Sequence, residues 1–391
     1  MIEPPQDWLT KPPALAAPGN QEMAKAVLEK RIHPAGSGAM VIRSLAWLYR
    51  DLGLQVALFD SSRAAQRVTG RILGQPNPDD VFTVDYCTGH KINGAPDAYV
   101  SLLNDMTAVT RWLEPYVMRM IAARLGVKNV VSQPNGAQLE GGDFTYLPHA
   151  LPDDQSLLVT GSGINSRSND AGRQWLIDTL KPNNHLDIQS PNFHRDLVSV
   201  LVQNNNGQLV LALLSPDHIQ NGAAVMAALK AWNVQVVTVP GEAVSQCAVN
   251  LKVDPGLLVG MQTHDELTRV LHTDLPPGVA YHALPPDLQH LVQGFVDMQG
   301  GANCVSGNML IDPEASDLSD AHIAEINKYA HSRGFEDELQ AAAEAIDMPA
   351  AVAEETRTQT AYVFFGCGTT STYGGPACPE ALPTVSQPVC V

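Results

Sequence analysis

The stretch LEGGDF at residues 139–144 places two carboxylates, Glu140 and Asp143, around a pair of glycines and follows a turn-forming QPNGAQ segment. Acids this close to a Gly-Gly pair do not fit the interior of a regular helix. Taken alone, the stretch predicts a tight turn with a solvated acid at each end. A catalytic role for either acid requires partners from elsewhere in the chain.

Three other stretches carry reactive side chains that could be these partners. They are VFTVD at 81–85, FHRD at 193–196 and GGANC at 300–304, which contribute Asp85, His194, Asp196 and Cys304. A cysteine thiolate is a nucleophile and a histidine can act as a general acid and base.

The reactive residues recur at nearly constant separations along the chain. Glu140 follows Asp85 by 55 residues, His194 follows Glu140 by 54, and Cys304 follows His194 by 110, which is about two such steps. A constant period of this size is typical of propeller-like arrays, which place equivalent strand ends around a central channel.

Each reactive residue also has a purely structural interpretation. Cys304 alone would more often be a small buried residue, and His194 alone a histidine with satisfied hydrogen bonds. If the HRD segment is a strand, residues i and i+2 face the same side. His194 and Asp196 would then point into one cavity, and Arg195 would point away from it.

Strands and helices alternate along the chain, which predicts the α/β class. Apolar spacing predicts helices over 38–53, 111–126 and 217–232, strands over 55–60, 81–87 and 97–103, and a hairpin over 197–214. The recurring unit is two strands, a helix and a strand.

Three regions are predicted along the chain. Residues 1–34 form a Pro-rich N-terminal arm, residues 35–315 a catalytic α/β domain, and residues 316–391 a helical extension with a Cys-containing tail. Residues 316–347 are acidic and could form a lid or a homo-oligomer contact.

Composition limits the classes of partner. The 391 residues are 45% hydrophobic and 17% charged, and the formal net charge is −17. This charge argues against nucleic acid and suits a small cationic molecule. No run of 18 apolar residues predicts a membrane span, and the N-terminal residues do not resemble a secretory signal, so a cytoplasmic location is expected.

The six cysteines do not form a zinc motif. None has C-x-x-C spacing, and the CTGH pair at 87–90 is a weak metal signal, so no metal site is predicted. A packed core thiol is the interpretation favoured for Cys87. The three cysteines of the Gly/Thr/Pro-rich C-terminal tail would suit disulfides in an oxidising compartment.

In their order along residues 50–312, the four stretches resemble the guanidino-group-modifying enzymes. This superfamily includes arginine, agmatine and peptidylarginine deiminases, dimethylargininases, dihydrolases and amidinotransferases. Its pattern is F-x-R-D, E-G-G-D, H-x-D and a Gly-rich approach to a nucleophilic cysteine. GINSRSNDAG at 163–172 is similar to a further G-x-S-x-R-T-N segment of the family. The resemblance implies a five-bladed, pseudo-symmetric ββαβ propeller.

The resemblance also implies a role for each matching residue. Cys304 would be the nucleophile, His194 the general acid and base, and Glu140 the residue that orients His194. Asp85 and Asp196 would bind the guanidinium group. Asp143 is expected to stabilise the turn or a neighbouring strand instead of taking part in catalysis.

Two arginines are weaker candidates for substrate binding. Arg167 lies where several relatives bind the substrate carboxylate, and a surface salt bridge is its alternative role. Arg111 lies near a family R-x-x-E segment, here Arg111 and Glu114.

The sequence departs from the family pattern at several positions. Val84 replaces the arginine of F-x-R-D, and Asn303 replaces a histidine that often precedes the cysteine. CVSGNMLI is not the usual segment after a deiminase cysteine, and about 80 residues follow Cys304. H-x-D favours deiminases, dihydrolases or amidinotransferases over dimethylargininases.

The predicted activity is hydrolysis of the guanidine of arginine or a derivative through a covalent Cys304 adduct. It would release ammonia or an amine and a ureido product such as citrulline, with no metal or organic cofactor. An amidinotransferase shares the first half-reaction, and a non-catalytic arginine-binding propeller is the non-enzymatic alternative. A papain-like Cys/His protease fits less well, because it needs no further carboxylates facing its nucleophile. Free arginine, agmatine, methylarginine and peptidyl arginine all remain open as substrates.

Overall fold

The computed structural model describes most of the central part of the chain and a few segments outside it. The described residues are 2–3, 37–57, 59–60, 84–85, 87–93, 95–103, 130–134, 136–192, 194–285, 300–309 and 361–363, with isolated positions at 114–115, 118, 288, 292 and 295–296.

The described residues form helices and strands in alternation. The α-helices are α1 Ser37–Asp51, α2 Asp170–Leu180, α3 Gly222–Ala231, α4 Gly241–Ser245 and α5 Asp265–Thr273. Single 3₁₀ turns occur at Gly141–Asp143, Pro152–Asp154, Arg195–Leu197 and Pro216–His218. No helix in these ranges is long and apolar enough to cross a membrane.

The strands are mostly short. They are β1 Ile2–Glu3, β2 Gln55–Ala57, β3 Phe59–Asp60, β4 Cys87–Ile92, β5 Ala95–Leu103, β6 Val130–Ser132, β7 Phe144–Leu151, β8 Gln155–Ser162, β9 Asn184–Gln189, β10 Ser199–Gln203, β11 Leu209–Leu214, β12 Gln235–Thr238, β13 Lys252–Asp254, β14 Leu257–Gly260, β15 Ala280–Ala283, β16 Gly307–Met309 and β17 Ala361–Val363.

Within the described ranges, five three-stranded sheets repeat one pattern of pairing. The sheets are β4-β5-β6, β7-β8-β9, β10-β11-β12, β13-β14-β15 and β16-β17-β2. In each sheet the first two strands are antiparallel and the third is parallel to the second. Parallel strands need a long crossover connection, and α2, α3 and α5 provide it in three of the sheets. A separate two-stranded sheet pairs β1 with β3.

One sheet joins segments that are far apart in sequence. β17 pairs antiparallel with β16 through Gly307 and Val363, and it pairs parallel with β2 through Val363 and Ala57. Helix α1 directly precedes β2. Together with β16 and β17 they form another unit of two strands, a helix and a strand, although its elements come from both ends of the chain.

Helix α2 shows how local sequence sets the frame around the EGGD turn. Asn169 caps the helix by accepting a hydrogen bond from the Gly172 N–H. The helix ends at Leu180, and the capping residue Lys181 adopts the left-handed backbone conformation with φ of 51°. The buried face of α2 packs on strands β7 and β8 in one apolar cluster. Its members are Leu102, Leu139, Phe144, Tyr146, Leu158, Leu176 and Leu180. Leu139 directly precedes Glu140, so its burial in this cluster anchors the start of the EGGD turn.

Helix α1 packs against the segment that carries Cys304. Val41, Ile42 and Leu45 on its buried face share an apolar cluster with Cys304 and Val305. Burial of several aliphatic side chains, each of which contributes about 1.5–3 kcal/mol, holds this segment against the helix.

The α/β class predicted from the sequence is confirmed, and most of the predicted elements form. The predicted helix at 38–53 corresponds to α1, and the predicted hairpin at 197–214 corresponds to β10 and β11. The predicted strand at 81–87 differs, because Val84 and Asp85 lie in a turn and the strand begins at Cys87.

Other predictions concern residues that the structure largely does not describe. Most of the helix predicted over 111–126 lies outside the described residues, and so does residue 111 itself. The N-terminal arm over 1–34 and the extension over 316–391 are described only at 2–3 and 361–363. The division into three regions therefore stays a prediction.

Candidate active site

The EGGD segment forms a tight turn that brings two other chain segments into contact. Gly141–Asp143 is a 3₁₀ turn, and the Gly141 N–H donates to the Asp85 carbonyl over 2.8 Å. A Cβ at Gly142 would lie 2.6 Å from Nδ1 of His194 and 3.2 Å from Oδ1 of Asp196. Glycine is required here because any side chain would displace the imidazole.

Asp143 stabilises this turn, as predicted. Its carboxylate accepts hydrogen bonds from the Ser166 hydroxyl over 3.1 Å and from the Arg195 N–H over 3.3 Å. Burial raises the pKa of Asp143 to about 6, although His194 and serine hydroxyls oppose the increase. Asp143 therefore ties the EGGD turn to the segment that carries His194.

His194 lies between two buried carboxylates. Its Nε2 is 2.9 Å from Oε2 of Glu140, and its Nδ1 is 3.6 Å from Oδ1 of Asp85. Burial alone would lower the pKa of His194, but the carboxylates of Asp85, Glu140 and Asp143 outweigh it and raise the pKa to about 9. The imidazole is therefore protonated at neutral pH and can donate a proton.

The same three side chains have the spacing of a small metal-binding cluster. One ligand atom from each of Asp85, Glu140 and His194 lies within 4.8 Å of the others. Imidazole and carboxylate are ligands for zinc and similar ions. A protonated imidazole between carboxylates gives the same arrangement as an ion-pair network.

Arg167 approaches the same carboxylate from another direction. Its Nη1 lies 3.5 Å from Oε2 of Glu140, and both side chains are buried. Because both side chains are buried, this ion pair is not the surface salt bridge that is the alternative role of Arg167. Arg167 and His194 therefore share one oxygen of Glu140, and Ser168 accepts the Glu140 N–H over 3.1 Å.

Asp196 has one hydrogen-bonded oxygen and one to which no described residue donates. Its Oδ2 accepts from Nδ2 of Asn250 over 2.8 Å and from Nδ2 of Asn303 over 2.9 Å. Its Oδ1 is buried, and among the described residues no group donates a hydrogen bond to it. Burial raises the pKa of this carboxyl, and His194 opposes the increase. Asp196 therefore offers a buried acceptor beside the His194 ring.

Cys304 lies directly beside Asp196. Its Sγ is 3.8 Å from Oδ2 of Asp196, and the side chain is 3% exposed. Its N–H donates to Oδ1 of Asn250 over 3.0 Å, and its carbonyl accepts from the Val84 N–H over 3.1 Å. Burial raises the pKa of the thiol well above its ordinary value, and the charges of Asp196 and Asp85 raise it further.

The HRD segment is a turn and not a strand. Arg195–Leu197 is a 3₁₀ turn closed by a bond from the Val198 N–H to the Arg195 carbonyl. The strand predicted for this segment is wrong, because Asp143 holds the Arg195 N–H and Ser199 holds its carbonyl. Arg195 still points away from Cys304, and its guanidinium donates to Thr145 and Ser199.

The structure brings most of the predicted site residues together. These are Asp85, Glu140, Arg167, His194, Asp196 and Cys304, all of them buried. Arg111 lies outside the described residues, so its role stays a prediction.

Sequence reasoning missed the role of two asparagines. In the sequence Asn303 is only a departure from the family pattern, and Asn250 belongs to no motif. Asn250 is 54 residues from Asp196 and 54 residues from Cys304. The same separation joins Glu140 and His194, so the period could have pointed to residue 250 as the missing step between Asp196 and Cys304.

Solved structures with similar folds include domains of an arginine dihydrolase. The N-terminal domain of ArgZ with a covalently bound reaction intermediate matches with a TM-score of 0.53 and 14% identity, over 78% of this chain and 95% of that one. The same domain bound to product, described as an arginine dihydrolase from Cyanobacteria, matches with a TM-score of 0.52 and 13% identity, over 78% of this chain and 94% of that one.

A larger protein shows the same similarity. An AgrE variant in complex with L-arginine matches with a TM-score of 0.54 and 16% identity over 78% of this chain, which spans only 39% of the AgrE chain. No protein-family model and no curated protein sequence matches the chain. At the level of the fold, the structural matches confirm the resemblance predicted from the ordered motifs.

Proposed function

We propose that the chain is a guanidine-modifying hydrolase that acts on arginine or an arginine derivative through a covalent adduct on Cys304. The observation that carries the proposal is the buried Asp196 side chain. Its Oδ2 lies 3.8 Å from the Cys304 sulfur, while its Oδ1 has no donor among the described residues. A guanidinium N–H would supply that donor and place the guanidinium carbon near the sulfur.

The charges around the cysteine favour a cationic substrate. Three buried carboxylates and two cationic side chains lie at the site: Asp85, Glu140 and Asp196, with Arg167 and His194. When all are ionised, the carboxylates exceed the cations by one charge. A guanidinium group would neutralise this excess, with Asp85 and Asp196 as its partners.

Substrate binding would also activate the nucleophile. Burial comes first among the causes that raise the pKa of the Cys304 thiol, and the charges of Asp196 and Asp85 add to it. A bound guanidinium offsets both negative charges and therefore favours the thiolate. The reactive form would thus develop when the substrate is in place.

The two half-reactions use His194 in opposite protonation states. The thiolate attacks the guanidinium carbon, the C–N bond breaks, and the imidazolium donates its proton to the departing amine. The neutral imidazole then takes one proton from water, which attacks the thiouronium carbon; the C–S bond breaks and releases the thiolate and the ureido product, while the second proton passes through solvent to the departed amine. Glu140 holds the ring in place throughout, as its 2.9 Å contact with Nε2 indicates.

We also propose that the five sheets are the blades of a closed five-bladed propeller. The repeated pairing pattern supports this arrangement, and so does the sheet that joins β16 and β17 to β2. The separation of 54 residues that joins Glu140 to His194, Asp196 to Asn250, and Asn250 to Cys304 then corresponds to one blade. The reactive side chains would converge at one end of the central axis.

The similar structures support arginine as the first substrate to test. ArgZ is described as an arginine dihydrolase with a covalently bound reaction intermediate, and AgrE binds L-arginine. The test measures ammonia and ureido product from arginine, agmatine, methylarginine and a peptidyl arginine, with and without glycine or ornithine as acceptor. Ureido product without an acceptor supports the hydrolase, whereas guanidino transfer to the acceptor supports an amidinotransferase.

Two cysteine variants complete this test. Cys304→Ser should abolish turnover, while Cys247→Ser, which changes the other buried thiol that the structure describes, should retain it. A wild-type protein that turns over no guanidine, and whose Cys304 is not labelled by a haloacetamidine, would contradict the proposal and leave a non-catalytic binding role.

A further inference from the structure

Asn250 connects the proposed nucleophile to the proposed guanidinium-binding carboxylate through a single side-chain amide. Its Oδ1 accepts the Cys304 N–H over 3.0 Å, and its Nδ2 donates to Oδ2 of Asp196 over 2.8 Å. Asn250 is 1% exposed, so no solvent replaces either contact. The two residues it joins are 108 positions apart in the chain.

The chemistry of the partners fixes the orientation of this amide. A backbone N–H can only donate, so it requires the amide oxygen, and a carboxylate can only accept, so it requires the amide nitrogen. A flipped amide would lose both hydrogen bonds. Asn250 thus sets the position of the Cys304 backbone and of the Asp196 carboxylate relative to each other.

The chain around Asn250 is packed to hold the amide in place. The Asn250 N–H donates to the Cys247 carbonyl over 3.1 Å, and its carbonyl accepts the Asn303 N–H over 3.3 Å. A Cβ at Gly301 would lie 2.8 Å from Cβ and 2.9 Å from Oδ1 of Asn250. The segment before Cys304 therefore wraps closely around residue 250.

We infer that Asn250 is a positioning residue that sets the distance between the sulfur of Cys304 and the carboxylate of Asp196. The inference rests on the proposed function, in which Asp196 holds the guanidinium and Cys304 attacks it. Asn303 supports one end of the arrangement only, since its amide donates to Asp196. Asn250 alone among the described side chains hydrogen-bonds both groups.

Two substitutions at residue 250 separate its two contacts. Asn250→Ala removes both, so kcat should fall about tenfold to a hundredfold and KM should rise. Asn250→Asp keeps an oxygen for the Cys304 N–H but places a second negative charge beside Asp196. Because a like charge repels the Asp196 carboxylate and raises its pKa, this variant should raise KM about tenfold or more while retaining more of kcat than the alanine variant.

Asn221 offers a matched control outside the site. Its Oδ1 accepts the Gln189 N–H over 3.0 Å, and its Nδ2 donates to the Asp187 carbonyl over 2.8 Å. Asn221→Ala therefore also breaks two amide hydrogen bonds, but it should leave kcat and KM within about twofold of wild type. A purely structural role for Asn250 would give the same result as Asn221→Ala once the folded fraction is matched by thermal unfolding.

A second readout does not depend on turnover. The rate at which neutral iodoacetamide alkylates Cys304, followed by peptide mass mapping, should change at least threefold in Asn250→Ala and stay unchanged in Asn221→Ala. If wild type does not turn over guanidines but this difference appears, the proposed function fails and the positioning role stands.

The opposite pattern overturns the inference alone. If wild type is active while the Asn250 variants keep wild-type kcat, KM and alkylation rate, the proposed function stands and the positioning role is wrong. Failure of both Asn250 variants to fold would assign the residue to stability and also overturn the inference.

Discussion

Replacing Glu140 with glutamine tests the electrostatic basis of the proposed acid catalyst. His194 is buried with its Nε2 2.9 Å from Oε2 of Glu140, and its pKa is raised to about 9. A hydrogen bond to a charged partner contributes about 1.5–3 kcal/mol, and about 1.4 kcal/mol corresponds to one pH unit. Glu140→Gln should therefore lower the pKa of His194 by about 1–2.

The assay is an NMR titration of the protein with labelled histidines. The His194 signal is identified by its absence from the spectrum of His194→Ala. Its midpoint should be about 9 in wild type and clearly lower in Glu140→Gln. Glu242→Gln, which removes a mostly exposed carboxylate near Nε2 of His264, is the matched control and should leave the midpoint of His194 unchanged. An unchanged midpoint in Glu140→Gln would refute the reasoning.

The same ion pair predicts how stability depends on pH. A group whose pKa is higher in the folded than in the unfolded state stabilises the fold fully below the unfolded pKa, and this contribution is lost as pH rises through the folded pKa. For His194 the unfolded pKa is 6.5 and the folded pKa is about 9. Its contribution of about 3 kcal/mol to the free energy of unfolding should therefore be lost as the pH rises from 6.5 to about 9. Urea unfolding should show this decrease in wild type and a smaller one in Glu140→Gln.

Three further substitutions test separate contacts. Asp196→Asn should raise KM for a guanidine substrate about tenfold to a hundredfold in steady-state assays, and an unchanged KM would contradict its role as guanidinium ligand. Gly142→Ala places a Cβ 2.6 Å from the imidazole and should lower the free energy of unfolding by about 1–3 kcal/mol. The control Gly222→Ala, whose added Cβ would lie no closer than 3.8 Å to another atom, should lower it by less than about 1 kcal/mol. Arg167→Lys should lower kcat more than it raises KM, because Arg167 faces Glu140; the reverse pattern would assign it to the substrate carboxylate.

The ordered motifs predicted which side chains meet, because their chemistry and spacing are visible in the sequence. Glu140, His194, Asp196 and Cys304 lie close together, as the order of the motifs indicated. The glycines of EGGD also fit the prediction, since Gly142 lies against the ring of His194.

Local backbone geometry was harder to predict, because contacts between distant residues decide it. The HRD segment has an alternating pattern that suits a strand, but Asp143 holds the Arg195 N–H and a 3₁₀ turn forms. The pairing of β17 with β2 joins residues from opposite ends of the chain, and no local pattern indicates it.

The roles of the asparagines were hidden for a different reason. Asn250 and Asn303 are uncharged and belong to no motif, so residue type alone gave no signal. Only the 54-residue period, combined with the need to fix Asp196 in a buried site, points to Asn250.

The most direct test of the central claim is a search for the covalent adduct itself. Wild-type protein is mixed with arginine, quenched with acid within milliseconds to seconds, digested and mapped by mass spectrometry. The proposed chemistry predicts a transient amidine-type mass increase on the peptide that contains Cys304, absent from Cys304→Ser. Turnover of arginine by Cys304→Ser at the wild-type rate, or an adduct on another residue, would contradict it.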